Sequence, residues 1–392
     1  MAKKLIRIYL WLTGIQNFFF SFMFGVYVLF LLDNGMSYLD ANLINMVFMV
    51  TIFILEIPTG VFADVLGRKK SVLISYVILI ITMIIYFCSQ TFLQFAFAEF
   101  LFGLGACFHS GAFDALLKDN LDFYKYREDI GKVFSQGNIV RQIAVICGGT
   151  SGAVIANYNL RIQWLIGAVG YIISFLMVIT LIREENFNGY RITWRNFCTA
   201  LRKIWKESLA NALYNKRVLN IVLISACFMT GVQALNMLWS PMFEQQLGIE
   251  YISIAWVGIS VFSLLGSWYA KRKLKNDNHF QLLVYAVVIT FIFVFFSSLL
   301  TGGFLILSTF WLHEIGRGVF NPIHNALLQN SIPSSVRATV TSFSSQISHA
   351  GAGLGLILAG IISAEAGIQT CWFISSLIIL CSLFFIYRIN KS

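Results

Sequence analysis

Residues 60–70 read GVFADVLGRKK, and this charged segment connects one long apolar run directly to the next. Glycine occupies two of its positions, Gly60 and Gly67. Because glycine lacks a Cβ atom, both positions permit a tight turn and a close approach between helices. We therefore expect residues 60–70 to form a short connection between two long helices.

The same segment carries opposite charges four residues apart, on Asp64 and Arg68. A carboxylate is favoured near a helix N-terminus, and a guanidinium binds a carboxylate through two parallel hydrogen bonds. We expect Asp64 to face a helix N-terminus and Arg68 to bind a carboxylate such as Asp119, which ends a later apolar run.

Apolar runs of this kind fill the chain. A helix needs about 20 mostly apolar residues to cross roughly 30 Å of hydrocarbon. Hydrophobic residues make up 58% of the 392 residues and charged residues only 12%, below the ~25% that is typical of soluble domains. The sequence predicts an all-α membrane protein with 12 transmembrane helices. The expected spans are 8–32, 41–62, 71–89, 93–117, 131–156, 160–182, 218–243, 252–270, 280–300, 303–330, 336–361 and 367–388.

Basic residues predict the orientation of these spans. An even number of spans places both termini on one side of the membrane. With the termini in the cytoplasm, 25 of the 28 Lys and Arg residues lie on the cytoplasmic side, and only Arg161 lies outside. Because positively charged loops resist translocation, we expect a multi-pass protein of the cell membrane with cytoplasmic termini.

One long polar stretch, residues 183–217, separates the spans into six and six. We therefore expect an N-terminal six-helix half at 1–182, a cytoplasmic linker at 183–217 and a C-terminal six-helix half at 218–392. The linker carries apolar positions and two Trp residues among its basic residues. Both an amphipathic helix on the membrane surface and a solvated linker agree with that composition.

Residues 60–70 resemble the signature loop of the major facilitator superfamily (MFS), G-x-x-x-D-x-x-G-R-[RK]-[RK], between the second and third spans. Two neighbouring segments, EIPTG at 56–60 and SGAFDALL at 110–117, are similar to a bacterial branch of presumed exporters. The resemblance extends over the whole chain. It implies two pseudo-symmetric six-helix halves that open a central site to each side of the membrane in turn.

The resemblance further implies a gating loop that locks the outward-open state and breaks when the cytoplasmic side opens. Its expected members are Gly60, Asp64, Gly67, Arg68, Asp114 and Asp119, and a capping role at the cytoplasmic end of span four is the alternative for Asp114. The chain departs from the family pattern at two places. Family exporters often carry Arg in span four, where this chain has Glu99, and antiporters often carry Gly-Pro in span five, where residues 148–152 read GGTSG.

Two acidic residues inside the spans are candidates for carrying a coupled proton. A charged side chain at the bilayer centre costs at least ~2.5–3.5 kcal/mol, so such residues usually face a cavity or a partner. Removal of a carboxylate from water favours its protonated form, which allows proton uptake and release as exposure changes. We expect this role for Glu56 or Glu99; a structural role beside the gating loop is the alternative for Glu56.

Basic residues inside the spans are candidates for contacting a solute. Arg141 lies near mid-depth in span five and can either hold an anionic substrate or pair with Glu99. Glu314 and Arg317 lie three residues apart on span ten, so they can neutralise each other on one helix face. For this pair, a structural role and a substrate contact both remain open.

Uncharged polar residues extend the set of substrate-cavity candidates. They are Gln16 and Asn17 in span one, Gln233, Asn236 and Trp239 in span seven, and His324 and Asn325 in span ten. The resemblance implies that these spans line the central cavity. A buried histidine that bonds between helices is the alternative for His324.

The expected function is secondary active transport by alternating access, with proton-coupled export of a small amphipathic organic compound. The branch resemblance and the 37 Phe residues favour this substrate type and direction. Uptake or facilitated transport of a polar or anionic solute held by Arg141 is the alternative within transport. A non-transporting membrane receptor or scaffold is the alternative from another class.

Other functions are not expected. The sequence contains no GxxxxGK[ST] segment, so it lacks this phosphate-binding loop for ATP. The net charge of +10 comes from short basic clusters between apolar runs, which suits anionic lipid headgroups and argues against nucleic acid. We expect no enzyme activity, no cofactor and no metal. The expected partners are a small-molecule substrate, protons and the lipid bilayer, and we expect a monomer.

Overall fold

The structure, a computed structural model, describes residues 1–126, 128–185, 216–274, 278–332 and 337–391. Helices make up nearly all of these residues. They are α1 (Ala2–Phe20), α2 (Tyr27–Asp33), α3 (Tyr38–Leu66), α4 (Arg68–Cys88), α5 (Phe92–Ser110), α6 (Phe113–Phe123), α7 (Ile130–Ala156), α8 (Ile162–Leu181), α9 (Lys216–Leu247), α10 (Ile252–Lys273), α11 (His279–Leu299), α12 (Gly303–Asn330) and α13 (Arg337–Lys391).

The predicted number of membrane-spanning helices is confirmed. Within the described ranges, ten helical segments are long and apolar enough to cross a membrane by length and composition. The last of them lies in α13, which contains two helices divided by non-helical backbone at Gly367. A further helix of 28 residues, α12, completes the twelve. The chain is an all-α membrane protein, as the sequence predicts.

Two of the predicted spans are interrupted. Span one consists of α1, a 3-10 turn at Ser21–Met23 and the short helix α2. Span four consists of α5 and α6, which are separated at Gly111 and Ala112. Hydropathy alone does not reveal these breaks, because the residues on both sides of each break are apolar.

The described chain forms two compact units. The first contains the described residues of Met1–Asn34 and Thr51–Thr199, and the second contains those of Gly35–Val50 and Ala200–Ser392. Residues 186–215, which include most of the predicted linker, lie outside the described residues.

Within the first unit, α4 packs against α5 and α8, and α1 packs against α7 and α8. The approach of α7 to α1 requires glycine at two positions. A Cβ atom on Gly148 would collide with the carbonyl oxygen of Phe18, and one on Gly152 would collide with that of Phe22. Small residues four apart allow helix backbones in a membrane to approach this closely.

The second unit repeats that contact. Its helix α9 packs against α13, and Cβ atoms on Gly351 and Gly355 would collide with the carbonyl oxygens of Ala226 and Thr230. The glycine spacing and the spacing of the opposed carbonyls are both four residues, as in the first unit. Each unit therefore contains the same glycine-mediated helix pair, although the two units share little sequence there.

Candidate functional site

A polar cavity of about 340 Å³ lies within the first unit, among α1, the break between α5 and α6, and α7. Its lining residues are Tyr9, Thr13, Gln16, Asn17, His109, Ser110, Phe113, Asp114, Gly137, Asn138 and Arg141. A second cavity of about 180 Å³ shares Gln16, Asn17 and His109 with it and adds Phe20, Leu79, Phe102, Ala106 and Tyr171. Because the two share three lining residues, we describe them together as the first-unit cavity.

One end of the first-unit cavity carries opposite charges. The Tyr9 hydroxyl donates a hydrogen bond of 2.9 Å to Asp114. Arg141, on α7, lines the same end with an exposed side chain. It makes no ion pair with any residue that the structure describes. The guanidinium is therefore available to a solute, whereas one oxygen of the Asp114 carboxylate is already bonded.

Asp114 was expected either in the gating loop or in a capping role, and the structure places it in the lining of this cavity. The break at Gly111 and Ala112 starts a new helix at Phe113, so Asp114 lies in the first turn of α6. A carboxylate is favoured at that helix position. From there the side chain bonds to Tyr9 of α1, and the ion pairs of Arg68 are made with other residues.

Gln16 connects three helices at the middle of the first-unit cavity. Its Oε1 atom accepts hydrogen bonds from the Tyr76 hydroxyl at 2.8 Å and from His109 Nε2 at 3.1 Å. Since an amide oxygen can only accept, the proton lies on Nε2 of His109. The His109 ring also stacks on Phe113 at 4.8 Å between centroids. These contacts fix the imidazole between the charged end and the other end of the cavity.

The other end is aromatic. Phe20 of α1 stacks on Phe102 of α5 at 5.4 Å between ring centroids, and its ring lies 6.5 Å from that of Tyr171. Leu79 completes this side. The first-unit cavity therefore offers a solute a charged end and an aromatic end.

The segment at 60–70 brings its charged residues together. Arg68 lies 3.0 Å from Asp119 and 3.6 Å from Asp64, measured between guanidinium nitrogens and carboxylate oxygens. Gly60 lies within α3 and faces Gly111, which lies between α5 and α6. A Cβ atom on Gly111 would lie 3.6 Å from the Cα atom of Gly60. The turn itself is at Gly67, where φ is 102°.

Glu184 occupies the helix N-terminus that the sequence analysis assigned to Asp64. The backbone N–H of Arg68 donates to Glu184 Oε1 at 2.6 Å, and that of Lys69 donates to Oε2 at 3.2 Å. The expectation for Asp64 was wrong because α3 continues to Leu66, which places Asp64 in the last turn of that helix. The first N–H groups of α4 have no partner within their own helix, and Glu184, which follows α8, accepts hydrogen bonds from them.

Glu99 lies in an aromatic enclosure of the first unit. Its side chain is 3% exposed, and Oε1 accepts hydrogen bonds of 2.5 Å from the hydroxyls of Tyr27 and Tyr86. Oε2 is buried and has no hydrogen-bond partner among the described residues. Tyr86 also stacks on Trp164 at 3.9 Å. The expected alternative of a Glu99–Arg141 pair is not found among the described residues: Glu99 bonds to the two tyrosines, and Arg141 lines the first-unit cavity.

Glu56 differs from Glu99 in its surroundings. It lies in α3, two residues before Pro58, and is only half-buried. Its side chain makes no hydrogen bond or ion pair within the described part of the chain. Its environment therefore provides neither the enclosure nor the hydroxyl donors that surround Glu99.

Polar residues of α9 and α12 meet in the second unit. Arg317 donates to Glu314 at 2.5 Å and to Asn236 Oδ1 at 2.8 Å. Asn236 in turn donates to Gln233 Oε1 at 3.1 Å, and Gln233 donates to Asn45 at 3.3 Å. The expected pairing of Glu314 with Arg317 is thus present, and it extends to α9 through Asn236.

The remaining candidates of the second unit have other surroundings. His324 is buried, its Nε2 atom lies 3.0 Å from the carbonyl oxygen of Ile221, and its ring stacks on Phe320. These contacts match the alternative of a helix-to-helix hydrogen bond. Trp239 is buried beside Trp256, and Asn325 is exposed.

Comparisons with known proteins agree with this architecture. The family model described as Major Facilitator Superfamily matches residues 10–355.

The chain belongs to the major facilitator superfamily.

Its relatives include an uncharacterized MFS-type transporter, YxaM of Bacillus subtilis (strain 168), at 23% identity over 91% of this chain and 88% of that protein. The nucleoside transporter NupG has a TM-score of 0.80 at 16% identity, over 99% of each chain. A bacterial homologue of the human lysosomal transporter Spinster has a TM-score of 0.75 at 12% identity, over 100% of this chain and 97% of that one. The structural likenesses show the MFS fold. This protein is a multi-pass membrane transporter of the MFS type.

Sequence reasoning missed several residues of this MFS site. Tyr9 and His109 line the first-unit cavity, Tyr27 and Tyr86 bond to Glu99, and Glu184 bonds to the start of α4. A polar stripe on α1 would have indicated Tyr9. Tyr9, Thr13 and Gln16 recur at the four- and three-residue spacing of one helix face.

The contact between Arg68 and Asp119 gives a prediction for this MFS transporter. We expect Arg68→Gln and Asp119→Asn each to lower the transport rate about fivefold. A partly exposed ion pair stabilises one conformation by up to ~1 kcal/mol, which is a factor of about five in population. Because both residues belong to one contact, the double variant should be no slower than the slower single variant. The transport rates of the two single variants and the double variant are measured in proteoliposomes. Lys70→Gln is the matched control, because Lys70 is exposed. Additive losses in the double variant would contradict a shared role.

The turn at Gly67 gives a second prediction, on stability. We expect Gly67→Ala to destabilise the protein by about 1–3 kcal/mol, because L-residues rarely adopt this backbone conformation. The added Cβ atom would also lie 2.8 Å from Glu184 Oε2. Gly60→Ala is the control, since its Cβ atom meets nothing within 4 Å and alanine favours a helix. In thermal unfolding in detergent, we expect a midpoint below that of wild type for Gly67→Ala and an unchanged midpoint for Gly60→Ala. Equal midpoints for Gly67→Ala and wild type would show that glycine is not required at position 67.

Proposed function

We propose that this MFS protein is a proton-coupled secondary transporter of a small amphipathic organic compound that binds in the first-unit cavity. The observation that carries the proposal is the division of that cavity into a charged end, with Arg141 and Asp114, and an aromatic end, with Phe20, Phe102 and Tyr171. A compound with a polar head and an aromatic or apolar body satisfies both ends.

The polar head is expected to bear an acidic or hydrogen-bond-accepting group. Arg141 has five N–H donors and no ion-pair partner among the described residues, whereas Asp114 already accepts a bond from Tyr9. Arg141 therefore supplies the unpaired hydrogen-bond donors at this end of the cavity. Asn17 and Asn138 add uncharged polar groups beside it.

Glu99 is the site that we propose for the coupled proton. Two hydroxyl donors bond to one carboxyl oxygen and leave the other without a partner, so the unpartnered Oε2 can carry a proton while Oε1 keeps both bonds. The enclosure by Tyr27, Tyr86 and Trp164 separates this group from bulk water, which favours the uncharged form. Glu56 lacks these features.

The proposal is tested by transport in proteoliposomes of the full-length protein across a panel of compounds. The panel contains nucleosides, because NupG is a nucleoside transporter and a nucleoside combines a heteroaromatic ring with a polar sugar. It also contains aromatic carboxylates and aromatic amines. An imposed pH difference of each sign distinguishes export, the direction that we propose, from uptake. Empty liposomes provide the control.

We expect at least one amphipathic compound to be transported with a measurable pH change that accompanies its movement. Transport restricted to compounds without an apolar part would overturn the assignment of the aromatic end. Transport without proton movement would overturn the coupling and leave the solute site intact.

A further inference from the structure

A buried imidazole and a buried carboxyl group lie side by side on α12 in the second unit. The His313 side chain is 0% exposed and the Glu314 side chain 3% exposed. His313 Nδ1 is hydrogen-bonded to the carbonyl oxygen of Phe310, one turn earlier. A carbonyl oxygen can only accept, so Nδ1 carries the proton of the neutral ring. His313 Nε2 is therefore a hydrogen-bond acceptor.

That acceptor has no donor in the present arrangement. Nε2 is buried and has no hydrogen-bond partner among the residues that the structure describes. It lies 3.4 Å from Glu314 Oε1. When Glu314 is ionised, two acceptors face each other and no hydrogen bond can form between them. A buried acceptor without a donor is costly, so this position favours a state in which a proton lies between the two atoms.

Glu314 instead bonds to Arg317. The guanidinium donates to Glu314 Oε1 at 2.5 Å and, through its other terminal nitrogen, to Asn236 at 2.8 Å. The Arg317 side chain is 24% exposed and Asn236 is exposed. The buried acid is thus connected to an accessible part of the unit through a single side chain.

Two titratable or charged groups in the described chain act on Glu314, and both lie on its own helix: His313 and Arg317. The helices packed against this part of α12 contribute uncharged residues. They are Asn236 and Phe243 of α9, Ala255, Gly258 and Ser263 of α10, Ala286 and Thr290 of α11, and Trp372 of α13. No neighbouring charge in the described residues therefore competes with these two groups.

We propose that Glu314 is a second proton-binding site, in which proton uptake transfers the carboxyl group from Arg317 to His313. The proton binds Glu314 Oε1, and the new O–H donates to His313 Nε2. The proton leaves a hydronium ion of the surrounding water, and the neutral acid loses its ionic attraction to Arg317. The guanidinium keeps its bond to Asn236, and the N–H group that bonded to Glu314 becomes free. The ligand of this site is a proton, supplied by water.

This inference uses residues of the second unit alone and does not depend on the identity of the solute. A failure to find a transported compound would leave it standing, and its own failure would leave the first-unit cavity unaffected. The experiment is therefore performed on the protein without solute.

The test is infrared difference spectroscopy of the purified full-length protein between alkaline and acidic buffer. We expect a band from the C=O stretch of a protonated acid, at the lowered frequency of an acid that donates to nitrogen. Glu314→Gln should remove this band. His313→Phe should shift it to the higher frequency of an acid without an acceptor. His313→Gln, which supplies a carbonyl acceptor, should return it towards the original frequency.

Exposed Glu250→Gln, in the same unit, is the control and should leave the band in place. Persistence of the band in Glu314→Gln, or an unchanged frequency in His313→Phe, would overturn the proposal. Gel filtration identifies a variant that has misfolded. If a variant is misfolded, the spectrum of the wild-type protein tests the proposal. The absence of a low-frequency acid band from folded wild-type protein would also overturn the proposal.

Discussion

Replacement of Arg141 by Gln is expected to reduce transport about 100-fold at low solute concentration. A hydrogen bond from a charged donor contributes about 1.5–3 kcal/mol, and ~2.7 kcal/mol corresponds to a factor of about 100. Two such bonds to one acidic group supply this amount even after solvent screening in an open cavity. Arg141 lines the charged end of the first-unit cavity, and no described residue forms an ion pair with it.

Arg141→Lys separates charge from geometry. Lysine keeps the positive charge and loses the planar fork, so we expect a loss of about tenfold if the solute group is bound by two parallel bonds. Lys132→Gln is the matched control, because Lys132 is an exposed cation on the same helix and is not part of the cavity lining. Initial rates in proteoliposomes measure all three. Equal rates for Arg141→Gln and Lys132→Gln would remove Arg141 from the solute site.

The sequence predicted the features that depend on neighbouring residues. The twelve spans follow from the length of each apolar run, and the helix α7 begins within one residue of its predicted start at 131. The approach of Arg68 to Asp119 followed from the charge pattern and the family resemblance. Hydropathy and short motifs are sufficient to predict these spans and this contact. The spans depend on residues close together in the sequence, and the contact depends on the order of the spans.

The composition of the site could not be predicted in the same way. Tyr9 and Asp114 are 105 residues apart, Tyr27 and Glu99 are 72 apart, and Glu184 bonds to a backbone N–H that is 116 residues away. Which helix face meets which neighbour depends on the breaks after α1 and α5, and apolar sequence on both sides conceals those breaks. The pairing of distant polar groups is therefore a result of tertiary structure.

Conversion of Glu99 to Gln is expected to abolish accumulation driven by a pH difference while leaving solute exchange near the wild-type rate. The Gln side chain has nearly the same shape, and its carbonyl oxygen can accept both bonds that Tyr27 and Tyr86 donate to Oε1. It cannot release or take up a proton in the physiological range. One coupled proton at a difference of one pH unit supports about tenfold accumulation, so the expected loss is about tenfold.

Glu56→Gln is the matched comparison, because it removes an acid that is half-buried and unbonded in the described structure. We expect it to keep accumulation within about twofold of wild type, since a half-buried acid keeps more of its hydration than the enclosed Glu99. Measurement of exchange at equal pH and of accumulation under a pH difference, in the same vesicles, separates solute binding from coupling. If Glu99→Gln still accumulates solute and Glu56→Gln does not, the proton is carried on α3, and the tyrosine enclosure of Glu99 has a structural role only.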